Sequence, residues 1–177
     1  MDDLVKQAMA KWPNVPDCHG WLGLDARGDW YMRDDAVQSL GDFPAHKGAK
    51  ITHDKLKAFI ARNYQSDKTG RWYFQNGPQR VFVELEITPW VWRLDGDGRI
   101  LSHTDKVARA QRCWMDELGH LYLETHLGMG LVHSMDVGLA AEYIESGLWV
   151  PQSVKLCDMP ERFGYVLSPY AAHDKRP

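Results

Sequence analysis

Apolar and polar positions change period several times along the chain, and each change marks an element. Leu4, Val5, Ala8, Met9 and Trp12 recur at helical spacing, with Asp2 or Asp3 placed to cap the start and Pro13 to stop the end. Leu56, Phe59, Ile60 and Tyr64 line one face of a second helix, capped by Thr52 or Asp54, with Lys55, Lys57 and Arg62 outside. Val137, Leu139, Ala140, Tyr143 and Ile144 predict a third, opened by Ser134 and closed at Gly147. Between Gln79 and Thr88 the period falls to two. Val81, Val83, Leu85 and Ile87 take one face and Arg80, Phe82, Glu84, Glu86 and Thr88 the other, which predicts a half-buried antiparallel strand. Asn76-Gly77 is a strong turn dipeptide, so residues 71–87 read as a hairpin. Trp90-Val91-Trp92 resumes pairing after the break at Pro89. From Pro151 the pattern is irregular, and 171–177 is expected to fray.

One local motif recurs. Asp25-Ala-Arg-Gly28, Asp67-Lys-Thr-Gly70, Asp95-Gly-Asp-Gly98 and Asp116-Glu-Leu-Gly119 each run straight into a β-prone segment. An Asp at the first position accepts a backbone N–H within the turn, and a Gly three residues on takes the positive-φ position that closes a hairpin loop. The chain therefore reads as α+β, built mainly from antiparallel β-hairpins with about three helices packed on the sheets. One domain over 1–177 is expected, with room for two related sub-lobes at 18–94 and 95–168. The Asp positions are spaced by 42, 28 and 21 residues, too unequal for a solenoid or propeller.

Composition narrows the setting. Eight Trp in 177 residues place aromatic layers in the core and leave some indole for stacking a ligand. A net charge of −3 with no basic stripe argues against nucleic acid. Cys18, Cys113 and Cys157 are odd in number and far apart, the pattern of reduced, buried thiols and not of a disulfide frame or zinc site. No basic head with an apolar run opens the chain, and no stretch approaches the ~20 apolar residues of a membrane span. The expected location is cytoplasmic, with no membrane partner.

Two constellations carry candidate chemistry. Arg80, Glu84 and Glu86 share the polar face of the long strand, near Trp90 and Trp92. Carboxylates a few ångströms apart raise one another's pKa and can act as acid and base or hold a cation. The same residues also fit a solvated face with cross-strand Arg–Glu pairs. His126, His133 and Asp136 flank a glycine-bearing segment that leads into the third helix, whose start can receive an anion. Folded back, they can ligate a metal, although their spacing matches no zinc-enzyme pattern. Asp95-Gly-Asp-Gly98 lacks the later ligands of a calcium loop and is better explained as a turn. No hydrolase nucleophile motif is present, so no catalytic residue, metal or cofactor is assigned.

The stretch Ile51-Thr-His-Asp-Lys-Leu-Lys-Ala-Phe59, the Asp67-x-x-Gly-Arg-Trp-Tyr-Phe74 turn and Arg80-Val-Phe-Val-Glu-Leu-Glu-Ile-Thr-Pro89 resemble proteobacterial families known only as domains of unknown function. The resemblance covers roughly residues 20–125. It implies a mixed α+β fold of repeated motifs and a part in signal transduction, and it carries no catalytic residue.

The leading expectation is a binding or regulatory module for a small ligand or partner protein, using Arg80, Glu84, Glu86, Trp90, Trp92, His126, His133 and Asp136. The alternatives are a hydrolase-type or metal-assisted enzyme that joins Glu84 or Glu86 to His126, His133 and Asp136, and a homodimer whose exposed Trp form the interface.

Overall fold

A computed structural model of the chain describes residues 1–174. It is a mixed α+β structure with two sheets, divided into two compact units. The first comprises Met1–Asp25, Asp29–Glu86 and the chain from Tyr165 onward; the second comprises Ala26–Gly28 and Ile87–Gly164.

The first unit holds α1 (Asp3–Lys11), β1 (Cys18–Leu24), β2 (Trp30–Met32), α2 (Asp35–Leu40), β3 (Ala49–Lys50), α3 (Asp54–Arg62), β4 (Tyr64–Ser66), β5 (Trp72–Asn76) and β6 (Gln79–Leu85). Its sheet runs β3-β2-β1-β6-β5-β4. The second unit holds β7 (Trp90–Leu94), β8 (Ile100–Ser102), β9 (Val107–Ala108), β10 (Ala110–Met115), β11 (Leu121–Thr125), β12 (Gly128–Val132), α4 (Val137–Glu145), β13 (Pro151–Ser153) and α5 (Met159–Phe163), with its sheet in the order β13-β10-β11-β12-β7-β8-β9. The closing helix α6 (Pro169–Asp174) belongs to the first unit.

The two sheets share a plan. In the first, β1-β2-β3 runs outward from the centre as an antiparallel meander, β4-β5-β6 runs back inward, and β1 lies parallel to β6. In the second, β7-β8-β9 runs outward, β10-β11-β12 runs back, and β7 lies parallel to β12. The Asp-x-x-Gly turns take matching places. Asp25 and Asp95 turn the first hairpin of each sheet, and Asp67 and Asp116 the hairpin that begins the return.

These turns form for one local reason. In each, the Asp backbone N–H donates to the carbonyl four residues on, and the Asp Oδ1 accepts that residue's N–H, at 2.9, 3.1, 2.9 and 2.8 Å for Asp25, Asp67, Asp95 and Asp116. The closing glycine has φ between +79° and +82° in all four, a region that costs an L side chain about 1 kcal/mol. A fifth turn escapes the pattern in the sequence. Ser102 Oγ accepts the N–H of Thr104 and Lys106, and Asp105 sits at φ +60° where the others have Gly. It closes the β8–β9 hairpin.

Several expectations change. Six α-helices are present among the described residues, not about three: α2, α5 and α6 are short and lack the repeated apolar stripe that marks α1, α3 and α4. The segment after Pro151 is ordered as β13, α5 and α6, because distant partners supply its hydrogen bonds; of the tail expected to fray, Lys175–Pro177 lie outside the described residues. Helix α3 is capped by His53, whose Nδ1 accepts the Leu56 N–H, and not by Thr52 or Asp54. Neither Asp2 nor Asp3 caps α1 through its side chain: the Asp2 carboxylate turns to Arg62 and Asn63. Ser134 opens a 3-10 turn that precedes α4, and His133 caps it.

Strand β6 is not half-buried. Phe82, Val83, Glu84 and Leu85 are all buried, because the chain from Tyr165 returns to this sheet. Leu85 N–H donates to Leu167 O and Val166 N–H to Gly70 O. Trp90-Val91-Trp92 does not resume pairing with the first sheet; β7 is a central strand of the second. Trp30, Trp72, Trp90, Trp92 and Trp114 are core residues, whereas Trp12 and Trp21 are exposed. Of the thiols expected to be buried, Cys113 is, Cys18 is half-buried and Cys157 is exposed.

Candidate functional site

The residues on the polar face of β6 end in three environments. Arg80 is at the open end and pairs with Asp17 through Nε and Nη2, at 2.8 and 2.7 Å. Glu84 is 4% exposed. Its Oε1 accepts the Tyr170 N–H at 3.0 Å, so a strand carboxylate caps α6. Burial pushes the Glu84 carboxyl above its ordinary value, against the hydrogen bonds from Ser168 and the Tyr170 N–H and the charge of Arg33. Arg33, also buried, donates to the carbonyls of Gly20, Gly41 and His46, which pins the chain around residues 41–46 over this face. Glu86 lies past the end of β6 and meets Lys47 at 2.8 Å; Lys47 also reaches Asp25 at 3.2 Å.

In the second unit, Trp90 and Trp92 stack on each other at 5.9 Å and are 2% and 0% exposed. Their indole N–H groups donate to Leu127 O and Leu123 O. Gly130 makes this arrangement possible, since a Cβ there would run into the Trp92 ring. Asp136 is bound by Arg93 at 2.6 and 3.1 Å and by the Leu94 N–H. Burial works to raise its pKa; the Arg93 guanidinium and the Leu94 N–H outweigh that and hold it below the usual carboxylate range. His133 is buried beside Asp136, while His126 is exposed in the β11–β12 turn. Strand β12 separates the two histidines by roughly 20 Å at strand rise. Among the described residues no group of three or more His, Cys, Asp or Glu is placed to hold a metal. Arg80, Glu84 and Glu86 belong to the first unit, and Trp90, Trp92, His126, His133 and Asp136 to the second.

Sequence reading missed a concave surface on each face of the first sheet. An apolar groove of about 260 Å³ lies on the α3 face, with Leu22, Ile60 and Phe74 among its lining and Trp21 and Met32 beside them. Its origin is a bulge in β1: the register against β6 shifts between Cys18 and Leu22, Gly20 takes φ +80°, and the consecutive residues Trp21 and Leu22 both line the groove. The pattern Cys-His-Gly-Trp-Leu-Gly-Leu contains the glycine that signals such a bulge. On the Arg80 face a cavity of about 340 Å³ is walled by Trp12, Tyr73, Gln75, Arg80 and Asp17. It depends on the end of α1 meeting β5 and β6, a contact no local pattern encodes.

Residues 1–170 match DUF2944, described as "Protein of unknown function (DUF2946)". The chain belongs to this family. Among solved structures it is similar to a DUF1285 family protein from Silicibacter pomeroyi DSS-3, with a TM-score of 0.50 and 14% identity over 80% of this chain and 84% of that one. A second DUF1285 family protein, from Shewanella baltica OS155, aligns at a TM-score of 0.46 and 13% identity over 69% of this chain and 91% of that one. At 14% identity the likeness to the Silicibacter pomeroyi protein is one of fold. A comparison with curated proteins finds no match.

Proposed function

We propose that the chain is a non-catalytic binding module and that the apolar groove of the first unit receives a small apolar ligand. The observation that carries this is the state of Trp21 and Met32, which remain 38% and 49% exposed beside a floor of buried Leu22, Ile60 and Phe74. Leaving such side chains in water forgoes about 25 cal/mol for each Å² of apolar surface, which a ligand covering them recovers. At about 260 Å³ the groove is below the ~300–1,000 Å³ typical of drug-sized ligands, so a short acyl chain suits it better than a large cofactor. A sensing role, in which occupancy is reported to a partner, is the form of binding that the family resemblance implies.

Cys18 lines the groove and supplies the test. In a Cys157→Ser background, which removes the exposed thiol, decanoate is expected to slow alkylation of Cys18 saturably and to raise Tm. Unchanged alkylation and Tm across the titration would sink the proposal.

A second reading has its own support. Leu148 and Val150 are 67% and 74% exposed next to the edge strand β13. Exposed apolar side chains beside an open edge favour a protein partner or a second copy of the chain. Sedimentation equilibrium of the native protein and of Leu148→Glu decides the self-association form: a single monomer mass for both rules it out.

A further inference from the structure

We propose that the cavity at the Arg80 end of the first sheet is a second, separate site, which takes a neutral nitrogen heteroaromatic ring bearing an N–H donor next to an acceptor. It lies across the sheet from the apolar groove and rests on different residues.

The walls set the shape. Trp12 is 52% exposed and Tyr73 half-buried, and Met9 and Pro78 add flat apolar surface. Two aromatic side chains around a space of about 340 Å³ suit a one- or two-ring planar ligand that stacks.

The polar groups set the chemistry. Gln75 and Arg80 face each other across the β5–β6 pair, so their Cβ atoms are about 5 Å apart on one sheet face. Arg80 spends Nε and Nη2 on Asp17, which leaves Nη1 as a donor without a partner among the described residues. Gln75 is 1% exposed; its Nε2 donates to Gly77 O at 2.9 Å, and its Oε1 is buried without a partner. A buried acceptor without a partner is unfavourable, so a ligand that donates to it removes that cost. A donor at the cavity wall, Arg80 Nη1, therefore lies beside an acceptor buried just beneath it, Gln75 Oε1. A small turn of the Gln75 amide brings Oε1 to a ring edge pressed against the floor.

A lactam or amino-imine edge, as in a purine, answers both groups at once. A carboxylate answers Arg80 alone, and a hydrocarbon ring answers neither. Asp17 already neutralises Arg80, so nothing here selects a charged ligand.

Isothermal titration of the full chain with inosine, backed by the indole N–H resonance of Trp12, tests this. Saturable binding with a shift at Trp12 is expected. N1-methylinosine, which lacks the donor, is expected to bind at least tenfold more weakly, and 2-naphthoate no more tightly than N1-methylinosine. Trp12→Ala, an exposed position, is expected to weaken inosine binding tenfold or more, and Gln75→Leu to remove the preference for inosine over its methylated form. No saturable heat with inosine, equal binding of inosine and N1-methylinosine to the native chain, or undiminished binding to Trp12→Ala would each overturn the proposal. None of these outcomes depends on whether decanoate enters the groove.

Discussion

The two sheets start from one plan and differ in what is attached to it. Each is a pair of antiparallel meanders joined by one parallel pair of central strands, turned by Asp-x-x-Gly at matching places. In the second sheet, β8 passes to β9 through the five-residue turn Ser102–Lys106, and β9 and β10 are separated only by Arg109. In the first, the corresponding connections carry α2 and α3, and α1 and α6 are added from the two chain ends. Both concave surfaces of the first sheet are lined by these additions: α3 borders the groove and the end of α1 borders the cavity. The second sheet instead fills its centre with Trp90 and Trp92 against Gly130. The frame recurs, and the connections added to the first sheet shape its groove and cavity; the concave surfaces of the second sheet, of about 470 and 380 Å³, lie along its edge at β10 and β13.

The sharpest way to break this comparison is to remove an addition from the first sheet. Ending the chain at Gly164 takes away the partners of the Gly70 carbonyl, the Leu85 N–H and the Glu84 carboxylate, and removes α6 from β1 and β6. A loss of more than about 3 kcal/mol is expected, since core exposure and lost buried hydrogen bonds combine. Hydrogen exchange should collapse in β5 and β6 while β11 and β12 stay protected; equal loss in both would mean that the two sheets depend equally on the closing segment.

Glu84→Ala is the narrower cut. It strands the Tyr170 N–H and is expected to cost about 2 kcal/mol by urea unfolding, with Glu84→Gln costing less because an amide oxygen still accepts. The pH dependence has a definite sign. The folded carboxyl titrates above its ordinary value, so stability from the neutral form is complete below the unfolded pKa and is lost as pH rises through the folded one. The advantage of the native chain over Glu84→Gln should therefore shrink as pH rises through that window.

Asp67→Ala and Asp116→Ala test whether equivalent turns carry equivalent energy. Each removes a carboxylate that accepts two or more backbone N–H groups and a side chain, and each is expected to cost about 1–2 kcal/mol. Burial works to raise the Asp67 pKa, but Thr69, Arg71 and the turn N–H groups hold it at about 2. Its stabilisation is complete above the unfolded value of about 4 and disappears as pH falls through the folded value. Matched acid unfolding curves for the two variants would support the shared plan, and a turn that costs nothing would not.

The smallest effect belongs to the fifth turn. Asp105→Gly places the residue type of the other four turns at φ +60° and is expected to stabilise by about 0.5 kcal/mol, read as a rise in Tm.

The legible parts of the molecule were those with short-range causes. The four Asp turns, the β5–β6 hairpin at Asn76-Gly77, and helices α1, α3 and α4 all follow from residues within a few positions of one another. The Ser102 turn was not seen because Ser and Asp replace the Asp and Gly that advertise the other four. Helices α2, α5 and α6 have too few residues to display a period. The candidate residues were visible as types, but their environments were not: Glu84 looked solvent-facing because β6 alternates, and nothing near it in sequence announces α6.

By itself, then, the sequence determined the four Asp-x-x-Gly turns, the Asn76-Gly77 hairpin, the three periodic helices and the α+β class, because each depends on interactions inside one turn or one repeat. Tertiary structure alone decided that β1 lies along β6 and β7 along β12, that Tyr170 reaches Glu84 across 86 residues, and that one face of the first sheet keeps a groove and the other a cavity. These features depend on which distant segments exclude water from one another, and that competition is settled only when the whole chain packs.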